Sequence, residues 1–302
     1  RSSALDASQG SRIFTGSPQE CRAVATLDLQ PVTDLDDPDL KPYRTLRRRK
    51  DLERQARFVV EGNKVVQRLL ESSYAVESLL ITPEWLEQIR ALLDLRDDRI
   101  RVFLAPKAGI EAVTGFGCYQ GIKAVGRITR PVTLQDLLTN LPQPRWLCAL
   151  DGVSNAENMG VIVRNAAALG VQALVIGHTS CSPFLTRAIR TSMGAIFGLP
   201  AVEDLPLIDA LGRLRREGCR CLAAHPSASD TLLTSADLRA DHCLVLGSEG
   251  HGISPGVLAA CDTQVSLPMD RQVDSLNVSS AAAVFFYETW RQRRLTTFGI
   301  RE

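Results

Sequence analysis

Polar side chains interrupt an apolar stretch between Asn158 and Ala166, NMGVIVRNA. The spacing predicts a helix over residues 158–169 that is apolar around most of its circumference and ends at Gly170 as its cap. Arg164 projects from that helix, and a guanidinium in such surroundings needs an anion or a ring of acceptors. From these residues alone, a structural ion pair and the binding of an anionic group are both open.

A second unusual stretch, LVLGSEGHGIS, spans residues 244–254. An apolar run of strand character leads into Gly247, Gly250 and Gly252, whose missing side chains let the backbone approach a ligand closely. Glu249 lies within this bend. It is either an acid at a binding site or a loop carboxylate that faces solvent.

The third stretch, VSLPMDRQVDSLNVSSAAA, spans residues 265–283. Ser275 and Asn277 lie at the start of a predicted long helix, where N-capping is their plain structural role. The small side chains of residues 279–283 let another backbone pack very near, as at a tight helix crossing or a subunit interface.

Several other chemistries leave no matching pattern. The segment DGVSNAENMG lacks the G-x-G-x-x-G spacing of a dinucleotide-binding turn, and neither a G-x-x-x-x-G-K-[ST] phosphate loop nor a G-x-S-x-G nucleophile elbow occurs. Cys219 and Cys221 lack the C-x2-C spacing and the four histidines are dispersed, so no metal site is expected. A net charge of +1 excludes a uniformly basic nucleic-acid binder but allows a locally basic one.

The sequence also bears on compartment. No apolar run approaches the roughly 20 residues that cross a bilayer, and the N-terminal RSSALDASQG has no apolar segment of a secretory signal. The eight cysteines are scattered through a chain long enough to build its own core. We therefore expect a cytoplasmic protein with free thiols and no membrane partner.

The elements that must position the three stretches alternate between strand and helix. Continuous apolar runs in the C-terminal half have the length of parallel strands buried on both faces. These runs are residues 146–150, 173–177, 221–224, 243–247 and 265–269. Helical patterns separate most of them, which predicts a parallel-sheet α/β domain over residues 146–302.

The N-terminal half predicts a smaller α/β domain over residues 41–127, with helices that begin near Pro83 and Pro106. Its predicted strands lie near residues 58–60, 78–81, 101–105 and 121–125. Residues 128–145 contain three prolines and suit a linker that carries a short helix.

Charge reverses sign at the start of that smaller domain. Residues 18–40 carry six acids against one arginine, and we expect residues 1–40 to form a flexible acidic arm. Residues 41–57 carry eight bases against two acids. They form either a solvated helix face or a patch that contacts nucleic-acid phosphates. The candidates for such contacts are Arg47, Arg48, Arg49 and Lys50.

Taken in this order, the three stretches resemble the SpoU/TrmH family of the SPOUT superfamily, which are S-adenosylmethionine-dependent RNA ribose 2′-O-methyltransferases. The resemblance covers about residues 150–288 and rests on N-x-G-x-x-x-R-x-A, L-x-L-G-x-E-G-x-G and L-P-M followed by S-L-N-V-S-x-A. In the preceding domain, FVVEGNKVV and YQGIKAV resemble the family's ribosomal-protein-like RNA-binding module. The segments DPDLKPYR and LLITPEWL are more similar to the ribosomal-RNA and antibiotic-resistance branch than to the minimal tRNA enzymes.

The resemblance implies a deep trefoil knot, an exception to the usual absence of threaded chains, with S-adenosyl-L-methionine held in it. It implies cofactor contacts from Ala224, Gly247, Leu267, Met269 and Leu276. It implies a catalytic constellation of Asn158, Arg164, Glu249, Ser275 and Asn277. It also implies a homodimer with the active site at the subunit interface, and RNA as the partner, with ribosomal RNA favoured over transfer RNA.

The chemistry so implied asks little of the protein, because a sulfonium methyl is already electrophilic. A ribose 2′-OH must be aligned with it and must lose one proton. Arginine stays protonated in proteins, so Arg164 is assigned to RNA phosphate and to the developing alkoxide, while Asn158 and Asn277 orient the hydroxyl. Proton loss through a phosphate oxygen and through water are both open.

Three alternatives accompany this hypothesis: a tRNA 2′-O-methyltransferase, a catalytically silent RNA-binding protein on the same fold, and an oxidoreductase with a nucleotide cofactor. The intact polar residues of the three stretches argue against a silent protein. The missing dinucleotide fingerprint argues against an oxidoreductase.

Overall fold

The computed structural model describes residues 26–44, 55–115, 117, 120–226, 231–270 and 275–298. Arg47, Arg48, Arg49 and Lys50 lie outside these ranges, so their predicted RNA contacts stay predictions. The described chain forms two sheets with helices packed against them, which confirms the predicted α/β class.

The N-terminal sheet has five strands and is mixed. Its strands are β1 (Thr26–Pro31), β2 (Arg57–Glu61), β3 (Ala75–Ile81), β4 (Arg99–Leu104) and β5 (Ile122–Arg127). They lie in the order β1-β4-β3-β5-β2, with β4 parallel to β1 and β3, and β5 antiparallel to β3 and β2. The accompanying helices are α1 (Lys41–Arg44), α2 (Asn63–Leu70), α3 (Pro83–Leu93) and α4 (Lys107–Thr114).

Part of the predicted acidic arm belongs to this sheet, so the expectation of a flexible arm is wrong for residues 26–40. β1 pairs with β4 along its whole length. The segment that follows β1 is tied to α1, because Arg44 donates to the backbone carbonyls of Asp36 and Asp37 at 3.2 and 2.6 Å and forms an ion pair with Asp36 at 3.4 Å. Asp39 forms an ion pair with Arg101. A run of acids without apolar periodicity is thus held by basic neighbours.

The C-terminal sheet has seven strands and is entirely parallel. They are β6 (Trp146–Leu150), β7 (Ala173–Gly177), β8 (Ala201–Leu205), β9 (Arg220–Ala224), β10 (Thr231–Leu232), β11 (His242–Leu246) and β12 (Thr263–Ser266). They lie in the order β10-β12-β9-β11-β6-β7-β8. The predicted parallel sheet is confirmed, although the run expected at 265–269 ends at Ser266, since Pro268 has no N–H to donate to a ladder.

Helices cover both faces of the C-terminal sheet. They are α5 (Leu134–Asn140), α6 (Ala156–Leu169), α7 (Thr186–Thr191), α8 (Leu207–Arg216), α9 (Pro255–Ala259) and α10 (Val278–Phe298). One face buries side chains of α6, α7 and α10, and the other buries those of α5, α8 and α9. α6 begins two residues before its predicted start, because Asn155 caps it by accepting from the backbone N–H of Glu157 at 2.8 Å.

An aromatic cluster joins the two sheets. The ring of Phe58, on β2, lies 5.3 Å from the ring of Phe184 and 5.6 Å from that of Phe197. Tyr74 packs on the same two rings. Burial of these aromatic groups docks the N-terminal domain directly against the C-terminal one. Within the described ranges, no helix has the length and apolar character of a membrane span.

Candidate active site

Three predicted catalytic side chains converge beyond the carboxyl ends of β6 and β11. Asn277 donates from Nδ2 to Oδ1 of Asn158 at 3.2 Å, and also to a carboxylate oxygen of Glu249. Asn158 is only 8% exposed, whereas the other two side chains reach the surface. We name this group the amide–carboxylate cluster. Its members come from three distant segments, so the fold brings them together.

Asn277 also caps α10, the role that its position suggested. Its Oδ1 accepts from the backbone N–H and the hydroxyl of Ser279 at 2.8 and 2.6 Å. The amide oxygen is therefore used by the helix, and the amide nitrogen is left to face Asn158 and Glu249. One residue both begins the C-terminal helix and orients the cluster.

The glycine-rich turn places Glu249. Ser248 and Gly252 exchange two backbone hydrogen bonds, N to O, at 2.9 and 3.0 Å, so the residues between them form a tight bend. A Cβ added to Gly247 would overlap the backbone of Gly252 and Ile253. The glycine at this position is thus required by a close crossing of the chain with itself, in addition to any ligand.

Asp151 holds this turn from beneath, and the sequence reasoning missed it. The residue is 6% exposed, and its carboxylate accepts from the backbone N–H of Ser254 at 2.7 Å and from the hydroxyl of Thr179 at 3.3 Å. Its position directly after β6, at the carboxyl edge of a parallel sheet, was the signal that could have identified it.

One cavity contains all five predicted cofactor residues. It has a volume of about 560 Å³ and is bounded by the glycine-rich turn, the ends of β9 and β12, and the start of α10. The predicted residues that line it are Ala224, Gly247, Leu267, Met269 and Leu276.

The residues that line this cavity fit S-adenosyl-L-methionine. Leu276 is 44% exposed and Leu267 is half-buried, so the cavity offers uncovered apolar surface against which a purine ring can pack. Glu249, on the shared turn, supplies negative charge near a ligand that carries a sulfonium cation. Backbone groups of the turn complete the wall, as expected where the chain lies against its ligand.

A second, larger cavity of about 950 Å³ lies on the other side of the turn. The loops that follow β6, β7, β8 and β11 enclose it, and both Asn158 and Glu249 line it. The residues from Ser248 to Gly252 border both cavities. Through Glu249, which lines both, the amide–carboxylate cluster therefore lies where the two cavities meet.

Arg164 and Ser275 are not part of the cluster. Arg164 is exposed on α6 and makes no hydrogen bond or ion pair with the residues that the structure describes. The described residues of a single chain therefore do not provide the ring of acceptors that was expected around it. Six residues along a helix place it on a different side from Asn158. Ser275 is exposed and lines the smaller cavity.

The buried thiols do not offer a competing nucleophile. Burial raises the pKa of Cys219 to about 12, and it raises the pKa values of Cys148, Cys221 and Cys243 further. Among the described residues, no group of three or more His, Cys, Asp or Glu side chains could hold a metal ion.

Comparisons with known proteins agree with this geometry. A model of the SpoU rRNA Methylase family matches residues 146–287, and a model of the MRM3-like substrate binding domain matches residues 37–122. A tRNA/rRNA methyltransferase of Mycobacterium tuberculosis, named as uncharacterized, is 36% identical over 277 residues, covering 88% of this chain and 93% of that protein. The chain belongs to the SpoU methylase family.

Two further proteins show how far the similarity extends. The 23S rRNA (guanosine-2′-O-)-methyltransferase RlmB of Nitrosomonas europaea is 29% identical over 245 residues, covering 80% of this chain and 94% of that protein. An AdoMet-bound rRNA methyltransferase from Sinorhizobium meliloti shares the fold, with a TM-score of 0.74 and 22% identity over 87% of this chain and 98% of that one.

As a SpoU methylase, the protein is an RNA 2′-O-ribose methyltransferase that uses S-adenosyl-L-methionine, which confirms the prediction from its motifs. When bound, the cofactor supplies an electrophilic methyl group. The chain supplies orientation: Asn277 holds the carboxylate of Glu249, and Asp151 fixes the turn that carries it. Side chains held by such hydrogen bonds lower the cost of alignment.

Proposed function

We propose that this SpoU methylase modifies the ribose 2′-OH of a nucleotide in ribosomal RNA. The observation that carries the proposal is the position of the amide–carboxylate cluster, Asn158, Glu249 and Asn277, between the two cavities. The smaller cavity takes the cofactor, and the larger takes the acceptor nucleoside. Methyl donor and hydroxyl then meet at the turn that both cavities share.

The roles of the cluster follow from its hydrogen bonds. Asn277 uses one carboxylate oxygen of Glu249, and the other oxygen is the acceptor for the 2′-OH. The same amide donates to the oxygen of Asn158, which leaves the NH₂ group of Asn158 to donate to the acceptor ribose. The hydroxyl is thereby aligned for attack, and its proton leaves to water or to a phosphate oxygen as the new bond forms.

Ribosomal RNA is favoured as the substrate by the chain's two-domain composition. The match to a substrate-binding domain precedes the SpoU domain, and one relative of similar length is named for 23S rRNA. The M. tuberculosis relative carries a name that includes tRNA, which keeps transfer RNA as the alternative. A boundary between the two domains near residue 128 is part of the same proposal, with β1 added to the first domain and α5 packed on the second. So is a cytoplasmic location, supported by the free thiols of the six described cysteines.

A homodimer accounts for the position of Arg164. The residue is exposed on α6, which packs against α10. α10 exposes Val284 at 43% and Tyr287 at 53%, so an apolar surface lies on the neighbouring helix. We propose that this surface pairs two copies and that Arg164 of one copy serves the cluster of the other.

The trefoil knot is part of the same proposal, supported by the close crossing at Gly247.

The test of function compares ribose methylation in RNA from cells with and without the gene. A site in 23S or 16S rRNA that loses its 2′-O-methyl group on deletion, and regains it with purified protein and S-adenosyl-L-methionine, supports the proposal. Loss of a tRNA modification alone would assign the alternative substrate.

Asn277→Asp tests the cluster in the same assay. The aspartate keeps the helix cap but replaces the donor with an acceptor that repels Glu249, so we expect kcat to fall about 100-fold. Asn140→Asp, the same change on α5, is the matched control and should leave kcat unchanged. Full activity of Asn277→Asp would remove the cluster from the mechanism.

A further inference from the structure

The larger cavity extends well beyond the amide–carboxylate cluster. Its far wall is formed by the ends of β7 and β8 and by the start of α8, with His178, Ile208 and Asp209 among the lining residues. β8 lies three strands away from β11 in the sheet. At about 4.8 Å per strand, the far wall is about 14 Å from the turn that carries Glu249. The cavity therefore has room for a whole nucleoside, with the ribose at one end and the base at the other.

The far wall combines an apolar side chain with hydrogen-bond acceptors. Ile208 is 53% exposed, although it is a large apolar residue in the first turn of a helix. Nδ1 of His178 lies 3.3 Å from the carbonyl oxygen of Leu205, which can only accept. Nδ1 therefore carries the proton of the neutral ring, and Nε2 is left as an acceptor.

Asp209 supplies a second acceptor at this wall. It is exposed in the first turn of α8 and forms no ion pair with the described residues. A first-turn acid is also favourable at a helix N-terminus, so a purely structural role predicts a small change in stability and no change in substrate choice. Because Asp209 also lines the cavity, a role in substrate choice can be tested separately from a structural role at the helix N-terminus.

The charge of the cavity decides which part of a nucleotide enters it. Asp151, Asp209 and Glu249 all line it, and three carboxylates disfavour a phosphate. A base edge with N–H donors is favoured instead. Guanine presents two adjacent donors, N1–H and the N2 amine, which match the two oxygens of one carboxylate. Uracil sets its single N–H between two carbonyls, and adenine and cytosine set their amine beside a ring acceptor.

We propose that the far wall of the larger cavity reads the base of the acceptor nucleotide, and that Asp209 selects guanine by accepting from N1–H and the N2 amine. Ile208 forms the apolar contact for the base, which leaves the stack to reach the cavity. This inference rests on the proposed function, because it assigns the acceptor nucleoside to the same cavity.

The experiment uses the full-length protein, total RNA from cells that lack the gene, and S-adenosyl-L-methionine with a tritiated methyl group. The labelled RNA is digested to nucleosides, and the label is assigned to one of the four 2′-O-methylnucleosides. We expect the wild type to label 2′-O-methylguanosine. Asp209→Asn should lower kcat/KM about 10- to 100-fold, because one bidentate base contact is lost, while the dissociation constant of the cofactor changes less than twofold.

Asp204→Asn is the matched control. Asp204 is also an exposed aspartate near the end of β8, but it lines a different groove and its backbone has a φ of 58°, which asparagine accepts. It should label guanosine at the wild-type rate. Label from the wild type in another nucleoside overturns guanine selection, and wild-type kinetics of Asp209→Asn overturn the role of Asp209. A wild type that transfers no methyl group to any RNA overturns the proposed function itself, and this inference with it.

Discussion

The two ends of the C-terminal sheet both carry polar clusters, but they differ in how many of their hydrogen-bonding groups have partners. At the amino ends of the strands, Arg293 of α10 donates to the carbonyl oxygens of Leu238, Pro144, Arg145 and Ala240 at distances of 2.7 to 3.2 Å. At the carboxyl ends, Asn277 bonds Asn158 and Glu249 and caps α10, but among the described residues the amide nitrogen of Asn158 and the second carboxylate oxygen of Glu249 make no hydrogen bond. One cluster is saturated, and the other keeps capacity for a ligand.

The saturated cluster is packed as a core. The guanidinium of Arg293 lies 5.5 Å from the ring centre of Trp146, and it lies 3.4 Å from Nδ1 of His242. His242 is 1% exposed and also contacts the hydroxyl of Thr289 through Nε2 at 3.4 Å. All three nitrogens of the arginine side chain donate to backbone carbonyl oxygens around it. A group so placed stabilises the fold and has little left for a substrate.

The difference teaches how to separate structural from functional polar residues in this chain. Both ends are rich in side chains that are costly to bury, so residue type alone does not distinguish them. What distinguishes them is unused hydrogen-bond capacity next to a cavity. The comparison therefore predicts opposite outcomes for substitutions at the two ends. At the carboxyl ends a substitution should lower activity and leave stability unchanged. At the amino ends it should lower stability and leave activity unchanged.

The largest expected effect is that of Arg164→Ala. Arg164 has no partner among the described residues, so its loss should leave the free energy of unfolding within about 0.5 kcal/mol of the wild type. Its assignment to phosphate and to the developing alkoxide predicts a fall in kcat of about 1000-fold, with cofactor affinity changed by no more than a few fold. Tritiated-methyl transfer and calorimetric titration of the cofactor measure the two quantities.

Arg216→Ala, at an exposed position on α8, is the control for Arg164→Ala and should keep full activity. A loss of cofactor binding equal to the loss of rate would move Arg164 into the cofactor site.

The second effect is that of Arg293→Met at the saturated end. The methionine fills part of the space but removes four hydrogen bonds to carbonyl oxygens, at about 1 kcal/mol for each net hydrogen bond lost. Three of these oxygens keep a second donor, on His242 or Gln172. Allowing for water at this half-buried position, we expect a loss of about 2 to 3 kcal/mol in the free energy of unfolding. Urea denaturation measures it, and Arg294→Met, at an exposed neighbour, should change it by less than about 0.5 kcal/mol.

For the folded fraction of Arg293→Met, the specific methyl-transfer activity should equal that of the wild type. An unchanged midpoint together with lost activity would show that the comparison between the two ends has the roles reversed.

The sequence was informative where an element is decided locally. The apolar runs of β6, β7 and β11 predict buried parallel strands, and Gly170 marks the end of α6 with its φ of 92°. β1 and β8 were missed because edge strands with alternating or acidic residues, TLDLQP and AVEDL, lack a continuous apolar run.

The candidate site was predictable only in part, for a related reason. Asn158, Glu249 and Asn277 could be named from their motifs, but their hydrogen bonds join residues more than 100 positions apart or come from a turn whose shape depends on Gly247. Asp151 and Arg293 act through backbone groups far along the chain, and such partners leave no pattern of residue types. The exposure of Arg164 contradicted an expectation built on one helix, because the apolar character of α6 does not reveal which side the sheet covers.

The smallest predicted effect concerns His242 and pH. Burial lowers the pKa of His242 from 6.5 to about 4 in the folded protein, where the hydrogen bond to the carbonyl of Ala240 opposes the shift and repulsion from Arg293 adds to it. The neutral ring therefore contributes stability that is fully present above pH 6.5. Because the unfolded chain takes up the proton first, this contribution is lost as pH falls from 6.5 towards 4. Between pH 8 and pH 5 the loss amounts to about 2 kcal/mol. His242→Gln should remove this share of the pH dependence, whereas His178→Gln, at an exposed histidine, should retain it. Urea denaturation at the two pH values measures the difference. An equal loss in the free energy of unfolding for the wild type and His242→Gln would show that the saturated end accepts a charged histidine.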